Sequence, residues 1–216
     1  MKGWLLLSLQ VAACATFLTV LMGTGLAYLL ARRRFPGRPL LEGVSLLPLV
    51  LPPTVLGYYL LVAMGTESIF GRVYARLTGS DLVFSFAGIV IAAFVGSMPL
   101  FIRQAQVAFA EIDPELEDSA RSFGASERQV FWYVTVPLAR RGLIAGTVLA
   151  FARALGDFGA TLMVGGNIPG RTRTLSLAVY DAWQAGDNAT ASGLALLLAA
   201  IALFVAVFAS RLTSDH

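Results

Sequence analysis

The 216-residue chain has one cysteine, one histidine and one lysine. A lone Cys14 excludes an internal disulfide. With the histidine at the extreme C-terminus, His216, no Cys/His cluster exists to hold a metal. The lysine is Lys2, so the Gly-rich turn closed by a lysine that a P-loop requires is missing. The chain cannot be a P-loop ATPase. A membrane-embedded enzyme would need convergent nucleophiles or metal ligands, and the terminal histidine supplies neither. Charge is scarce as well: 13% of the residues are charged, against about 25% in soluble domains.

Uncharged runs take the place of charge. Residues 3–31, 43–66, 82–102 and 188–210 are each long enough to cross a bilayer, which takes roughly 20 apolar residues. A fifth run, 142–165, is interrupted only by Arg153 and Asp157. Lys2, the apolar stretch after it and Ala13-Cys14-Ala15 imitate a signal peptide weakly. The stretch continues to Leu30, however, beyond the roughly 7–15 residues of a signal h-region, so it reads as a retained span. The pattern predicts an all-α integral membrane protein of about five spans, one transmembrane domain over 1–216. The stretch LSLAVYDAW, 175–183, allows a re-entrant or short sixth element.

The net charge of +3 follows topology rather than nucleic acid. Cytoplasmic loops collect Lys and Arg. Arg32, Arg33, Arg34 and Arg38 follow the first run; Arg103, Arg121, Arg128, Arg140 and Arg141 lie in or beside the polar segment between the third and fourth. The intervening loop 67–81 balances two arginines with two acids. The alternation favours an N-terminus outside, a C-terminus in the cytoplasm and the segment 109–141 inside.

Prolines and glycines punctuate the spans. Pro48, Pro52 and Pro53 fall in the second run and Pro99 in the third, each removing a helix donor. Such breaks in a membrane survive only where protein or a water-filled path satisfies the freed backbone. Packing kinks and helices shaped around a translocation path both fit. Gly142, Gly146, Ala150 and Ala154 recur every four residues, a small-residue face for close helix contact, with packing inside the chain favoured over a dimer seam.

The polar segment has its own punctuation. Asp113-Pro114 is an N-cap followed by proline at the first helical position. Glu115, Glu117 and Asp118 load the first turns with the sign that suits the helix dipole. Gly124 is placed as the C-terminal stop. Ser126 and Gln129 form a capping-box pattern for a second helix running to about Val134, with Pro137 ending or kinking it. Interfacial helices carry Lys and Arg on their polar face. An acid-rich helix with Arg121 as its one basic residue suits a protein partner better than anionic headgroups.

These residues resemble the EAA loop of binding-protein-dependent ABC importer permeases: Glu-Ala-Ala, three residues, Gly, nine residues, Ile-x-Leu-Pro. Here Asp118-Ser119-Ala120, Gly124 and Val134-Thr135-Val136-Pro137 keep the spacing, with Asp for Glu, Ser for Ala, and Val for Ile and Leu. Asp118 keeps the family charge on a shorter arm. The stretches FPGRPLLEGVSLLPLVLPP and GTVLAFARALGDFGATLMVGGNIPGRTRT are similar to the molybdate permeases of that superfamily, and shared in part with sulfate permeases. The resemblance implies a MetI-like type I importer permease in the inner membrane. It implies Glu117, Asp118, Ser119, Ala120, Gly124, Val134, Val136 and Pro137 as the contact with a separate ATPase. It also implies a second copy of the permease, two ATPase copies that bind ATP and Mg, and a periplasmic oxyanion-binding protein. This chain itself would hold no cofactor. Molybdate or tungstate would be carried by alternating access; a sulfate or thiosulfate permease is the alternative. A secondary transporter would need ion-coupling groups and usually internal repeats, and no clear repeat is present.

A dianion needs an enclosed polar path, because charge in lipid is costly. Arg153 and Asp157 are four residues apart and so can pair on one helix face. Counted from Gly142 they fall roughly 16 and 22 Å along the helix, in the outer half of the membrane. A mutually neutralising structural pair is the favoured reading, and a path role the sharper one. Asn167, in the GGNIPGRTRT stretch with Arg171 and Arg173, is either a path residue or part of a loop facing the binding protein.

Overall fold

Between Lys2 and Arg32 nothing is charged, and in the computed structural model that run is a single helix, α1 (Lys2–Arg32). The structure describes residues 2–214, and all its regular elements there are helical. The second uncharged run does not form one straight span. It divides at Leu51-Pro52 into α2 (Arg38–Val50) and α3 (Pro53–Met64), bent by 113°. Pro52 and Pro53 carry no N–H for the ladder, so the chain turns there. A short amphipathic helix, α4 (Ile69–Thr78), leads to α5 (Phe86–Ala110), which continues as one helix through Pro99.

The polar segment forms α6 (Pro114–Ser122) and α7 (Glu127–Val130). The expectation that the second helix stops near Val134 is corrected. Glu127–Leu155 is one continuous helical span, made of α7, a π-helical turn at Phe131–Thr135, and α8 (Val136–Leu155). In the wide turn the Val136 N–H donates to the carbonyl of Phe131, five residues back. Pro137 follows directly, at the head of α8 but inside this continuous span, and the helix runs on through it. The fifth expected span, 142–165, is corrected too. The helix ends at Leu155, the chain breaks at Gly156–Phe158, and α9 (Gly159–Gly165) resumes. The 175–183 stretch becomes α10 (Leu175–Gln184), about 15 Å long and too short to cross. The last run is α11 (Asn188–Ser214). Among the described residues, four helices are long and apolar enough to cross a membrane, or five with the bent α2–α3 pair.

Buried clusters give the directions. Ala27 and Leu30 pack with Phe101, Ile102, Ala105 and Phe109, while Val11, Ala12 and Ala15 pack with Ile89, Val90 and Ala93, so α1 and α5 run parallel. Ala139 joins the first cluster and Ala154 the second, so α8 runs back between them. The small-residue face of α8 meets α5: a methyl group added at Gly142 would overlap Ala108, and one at Gly146 would lie 3.1 Å from Gln104 Cβ. Leu194 packs with Trp4 and Leu5, and Leu198 and Ile201 continue along the α1 side, so α11 runs parallel to α1. The two ends of the bundle are therefore distinct. One carries Arg32, Ala110 and α6; the other carries the start of α1, α4 and α10.

Candidate functional site

The α6 segment and the Arg153–Asp157 region hold most of the residues singled out in the sequence. At the first, α6 sits across the ends of α1 and α5. Asp113 Oδ1 accepts the Glu115 N–H at 3.0 Å, and Gly124 stops the helix in the left-handed region at φ 88°. Ser126 and Gln129 make the full capping box, with the Ser126 N–H donating to Gln129 Oε1 at 2.8 Å. Glu117 turns inward and is buried. It lies 3.3 Å from Arg32 Nη2, and Thr135 Oγ1 in the π turn donates to it at 2.7 Å. Arg32 Nη2 also donates to the Ile112 carbonyl at 3.0 Å. Beneath, Tyr28 packs edge-on against Phe109 and Phe131, with ring centroids 5.6 and 5.0 Å away. The α6 helix is thus bonded through Glu117 to α1 and to the head of α8, while Arg32 ties α1 to the segment that follows α5.

The outer side of α6 is different. Asp118 and Glu127 are exposed and share Arg121, at 2.7 Å each. The Glu127 hydrogen bond, opposed by desolvation and reinforced by Asp118, raises the Arg121 guanidinium above its already high range. Ser119 and Gly124 are exposed, Ala120, Val134 and Val136 are half-buried, and Pro137 is exposed. Phe123 is 93% exposed and Tyr133 79%. Seven of the eight coupling positions therefore keep some accessible surface. Glu117 is the exception: it is buried, with its carboxylate held by Arg32 and Thr135 and Arg121 Nη2 3.9 Å away.

The second place lies where two helix breaks meet. Gly159, at the start of α9, packs so closely on α3 that an added methyl group would lie 2.8 Å from Pro53 Cβ. Beside this contact Arg153 Nη1 donates to Asp157 Oδ1 at 2.9 Å. The other oxygen, Oδ2, accepts the Thr161 N–H at 2.9 Å and Thr161 Oγ1 at 2.6 Å. The Asp157 carbonyl accepts Ser176 Oγ at 2.7 Å, tying the break to α10. The pair lies opposite Gly96, about 15 Å from the start of α5 and a little before the middle of that 25-residue helix, in the half away from α6.

Across the whole length the chain is similar to transport proteins. The family described as "Binding-protein-dependent transport system inner membrane component" matches residues 20–214. The chain belongs to that family. The molybdenum transport system permease protein ModB of Escherichia coli (strain K12) is 43% identical over 98% of this chain and 94% of its own. The putative molybdenum transport system permease protein YvgM of Bacillus subtilis (strain 168) is 41% identical over 94% and 89%. Among solved structures, an inward-facing MetNI methionine ABC transporter chain superposes with a TM-score of 0.73 at 17% identity, covering 98% of this chain and 93% of that one. A bacterial alginate ABC transporter in complex with its periplasmic protein gives 0.75 at 14%, over 100% and 81%. These two likenesses establish the MetI-like permease fold.

In this permease the expected path residues separate. Arg153 and Asp157 are together at the helix breaks. Asn167 belongs to another network toward the far end, where its Oδ1 accepts Arg173 Nε at 3.0 Å and Arg173 Nη1 lies 2.8 Å from Asp181 Oδ2. Its left-handed backbone, φ 53°, serves the turn after Gly166. Arg32, Thr135 and Phe123 join the first site without standing out in the sequence. Arg32 is one of four clustered arginines with nothing to single it out. For Phe123 a signal is visible: a large aromatic just before the Gly124 stop.

Proposed function

We propose that this permease is the membrane subunit of an ATP-driven importer of molybdate, with tungstate as a close analogue. The observation that carries the reading is the 43% identity to the molybdenum permease of Escherichia coli over 98% of the chain. On this reading the single domain spans the inner membrane as a homodimer. Two copies of a separate ATPase subunit bind ATP and Mg, and an oxyanion-binding protein delivers the substrate. The arginines gathered at the α6 end, Arg32–Arg34, Arg38, Arg121, Arg128, Arg140 and Arg141, support a cytoplasmic location for it, with the N-terminus outside and the C-terminus inside.

The α6 helix is the coupling element. Its exposed face, with Asp118, Ser119 and Phe123, meets the ATPase, while Glu117 locks its inner face to Arg32 and Thr135. ATP binding closes the ATPase dimer and moves α6. Because α6 is bonded to α1 and to the head of α8, the spans move with it, and the path opens to one side at a time. The test is affinity purification of the tagged chain, followed by uptake of labelled molybdate into vesicles holding the complex, with tungstate and sulfate as competitors. ATP-dependent molybdate uptake and a co-purifying ATPase are expected. Uptake driven by an ion gradient without ATP would replace this reading with a secondary transporter, and ATP-driven sulfate uptake without molybdate uptake would replace its substrate.

A further inference from the structure

We infer that the cleft at the meeting of the two helix breaks is a mid-membrane subsite for the transported oxyanion, and that the Asp157-balanced guanidinium of Arg153 is its anion-binding group. This rests on the importer reading above. The cleft, lined by Pro53, Thr54, Arg153, Gly156 and Asp157, has a volume of about 540 Å³. At about 30 Å³ for each water it has room for a tetrahedral anion with part of its hydration shell.

Two observations aim the arginine at this space. The Asp157 side chain is 1% exposed and its oxygens are taken by Arg153 and Thr161, whereas the Arg153 side chain is 26% exposed. Asp157 is thus fully engaged, while Arg153 keeps accessible surface for a further acceptor. An ionisable group at mid-span faces a protein interior or a water-filled cavity, not hydrocarbon. The open side of Arg153 therefore marks the face of the bundle that lines the path.

The same face continues toward the α6 end. Gly96, which packs under Arg153, and Arg103 are seven residues apart on α5, so they share a face about 10 Å apart along the axis. Arg103 is half exposed and again carboxylate-balanced, with Nη1 donating to Glu42 Oε1 at 3.0 Å. Conduction requires binding favourable enough to enter and weak enough to leave. A free arginine at mid-membrane would trap a dianion. An arginine whose charge is already offset by a buried carboxylate attracts it through the forked N–H groups and then lets it go.

The test uses the complete complex in vesicles, with Arg153→Gln, Arg153→Lys, Asp157→Asn and the Arg153→Gln/Asp157→Asn double variant. Protein amount, thermal midpoint, ATPase stimulation by loaded binding protein, and uptake are measured. The double variant is expected to match the parent in amount and midpoint, to keep stimulation within about twofold, and to lose uptake by about tenfold or more. Arg153→Lys is expected to retain more uptake than Arg153→Gln. Asp157→Asn is expected to lower both the turnover and the half-saturating molybdate concentration. Double-variant uptake within about twofold of the parent would reduce the pair to a packing element and overturn the inference. If the parent moves sulfate but not molybdate, the substrate assignment fails while the same comparison, run with sulfate, still decides on Arg153. A folding-independent check is Thr54→Cys with Cys14→Ala in the otherwise native complex. An anionic water-soluble thiol reagent is expected to label the introduced thiol, and molybdate to slow that labelling during turnover. No labelling with or without ATP would show that the cleft is not part of an aqueous path.

Discussion

Glu117 and Asp118 are neighbours with opposite fates. One carboxylate is buried against Arg32 and Thr135, the other is exposed and held only by Arg121 within its own surface helix. Removing one partner of a buried pair leaves the other charge uncompensated, at about 3–5 kcal/mol. Glu117→Ala is therefore expected to lower the thermal midpoint of the purified permease strongly. Arg32→Met with Glu117→Leu should recover most of the loss, since apolar replacement of a buried pair is often neutral. A midpoint unchanged in Glu117→Ala would mean that Glu117 does not anchor α6. Asp118→Lys should leave that midpoint within the small range of exposed ion pairs, about 1 kcal/mol or less. On the proposed function it should nevertheless abolish ATPase stimulation, because Asp118 lies on the exposed face of α6 assigned to the ATPase. Normal transport by Asp118→Lys would remove that charge from the contact.

At the scale of elements, α6 has an outward aromatic and α8 an inward small-residue face. Phe123, 93% exposed, stands beside the Gly124 turn. A large ring that fills a partner's pocket typically contributes about 2 kcal/mol or more, so Phe123→Ala is expected to weaken ATPase association by roughly 30-fold with the fold intact. Equal affinity in a titration of purified ATPase against both forms would place the contact elsewhere. On α8, Gly142 has no space for a side chain beside Ala108. Gly142→Leu should cost about 1–3 kcal/mol through overpacking. Gly25, on α1, has open space where its Cβ would be, and Gly25→Ala should be neutral or stabilise by up to about 1 kcal/mol. Matching midpoints for the two variants would contradict the close α5–α8 contact.

For the whole molecule the decisive quantity is sidedness. The start of α1 and α4 share one end of the bundle and α6 the other, and the proposed function, from the arginine balance, has α6 on the cytoplasmic side. In a Cys14→Ala background, Thr78→Cys should react with a membrane-impermeant reagent in intact cells, and Ala125→Cys only after the membrane is opened. The reverse pattern would invert the orientation.

The composition, the uncharged runs and the 118–137 spacing determined by themselves that the chain is a helical membrane protein with a capped polar segment between spans. Each of those signals is local: hydrophobic length, capping residues and glycine stops act over a few turns. The inward face of Glu117 needed the end of α1, 85 positions earlier in the chain, to bring Arg32 alongside. The break of α8 at Gly156–Phe158 reads in sequence as one apolar run interrupted by Arg153 and Asp157, since hydropathy does not register a lost turn. Only packing against the equally broken α2–α3 pair opens the cleft beside Arg153 there. Pro137, expected to end or kink a helix, does not end one; the helix passes through it after a π turn in which the Val136 N–H reaches back five residues to Phe131. Arg153 and Asp157 pair locally, four residues apart, but the meeting of Glu117 with Arg32, and which arginine opens onto space, depend on contacts between distant segments that tertiary structure decides.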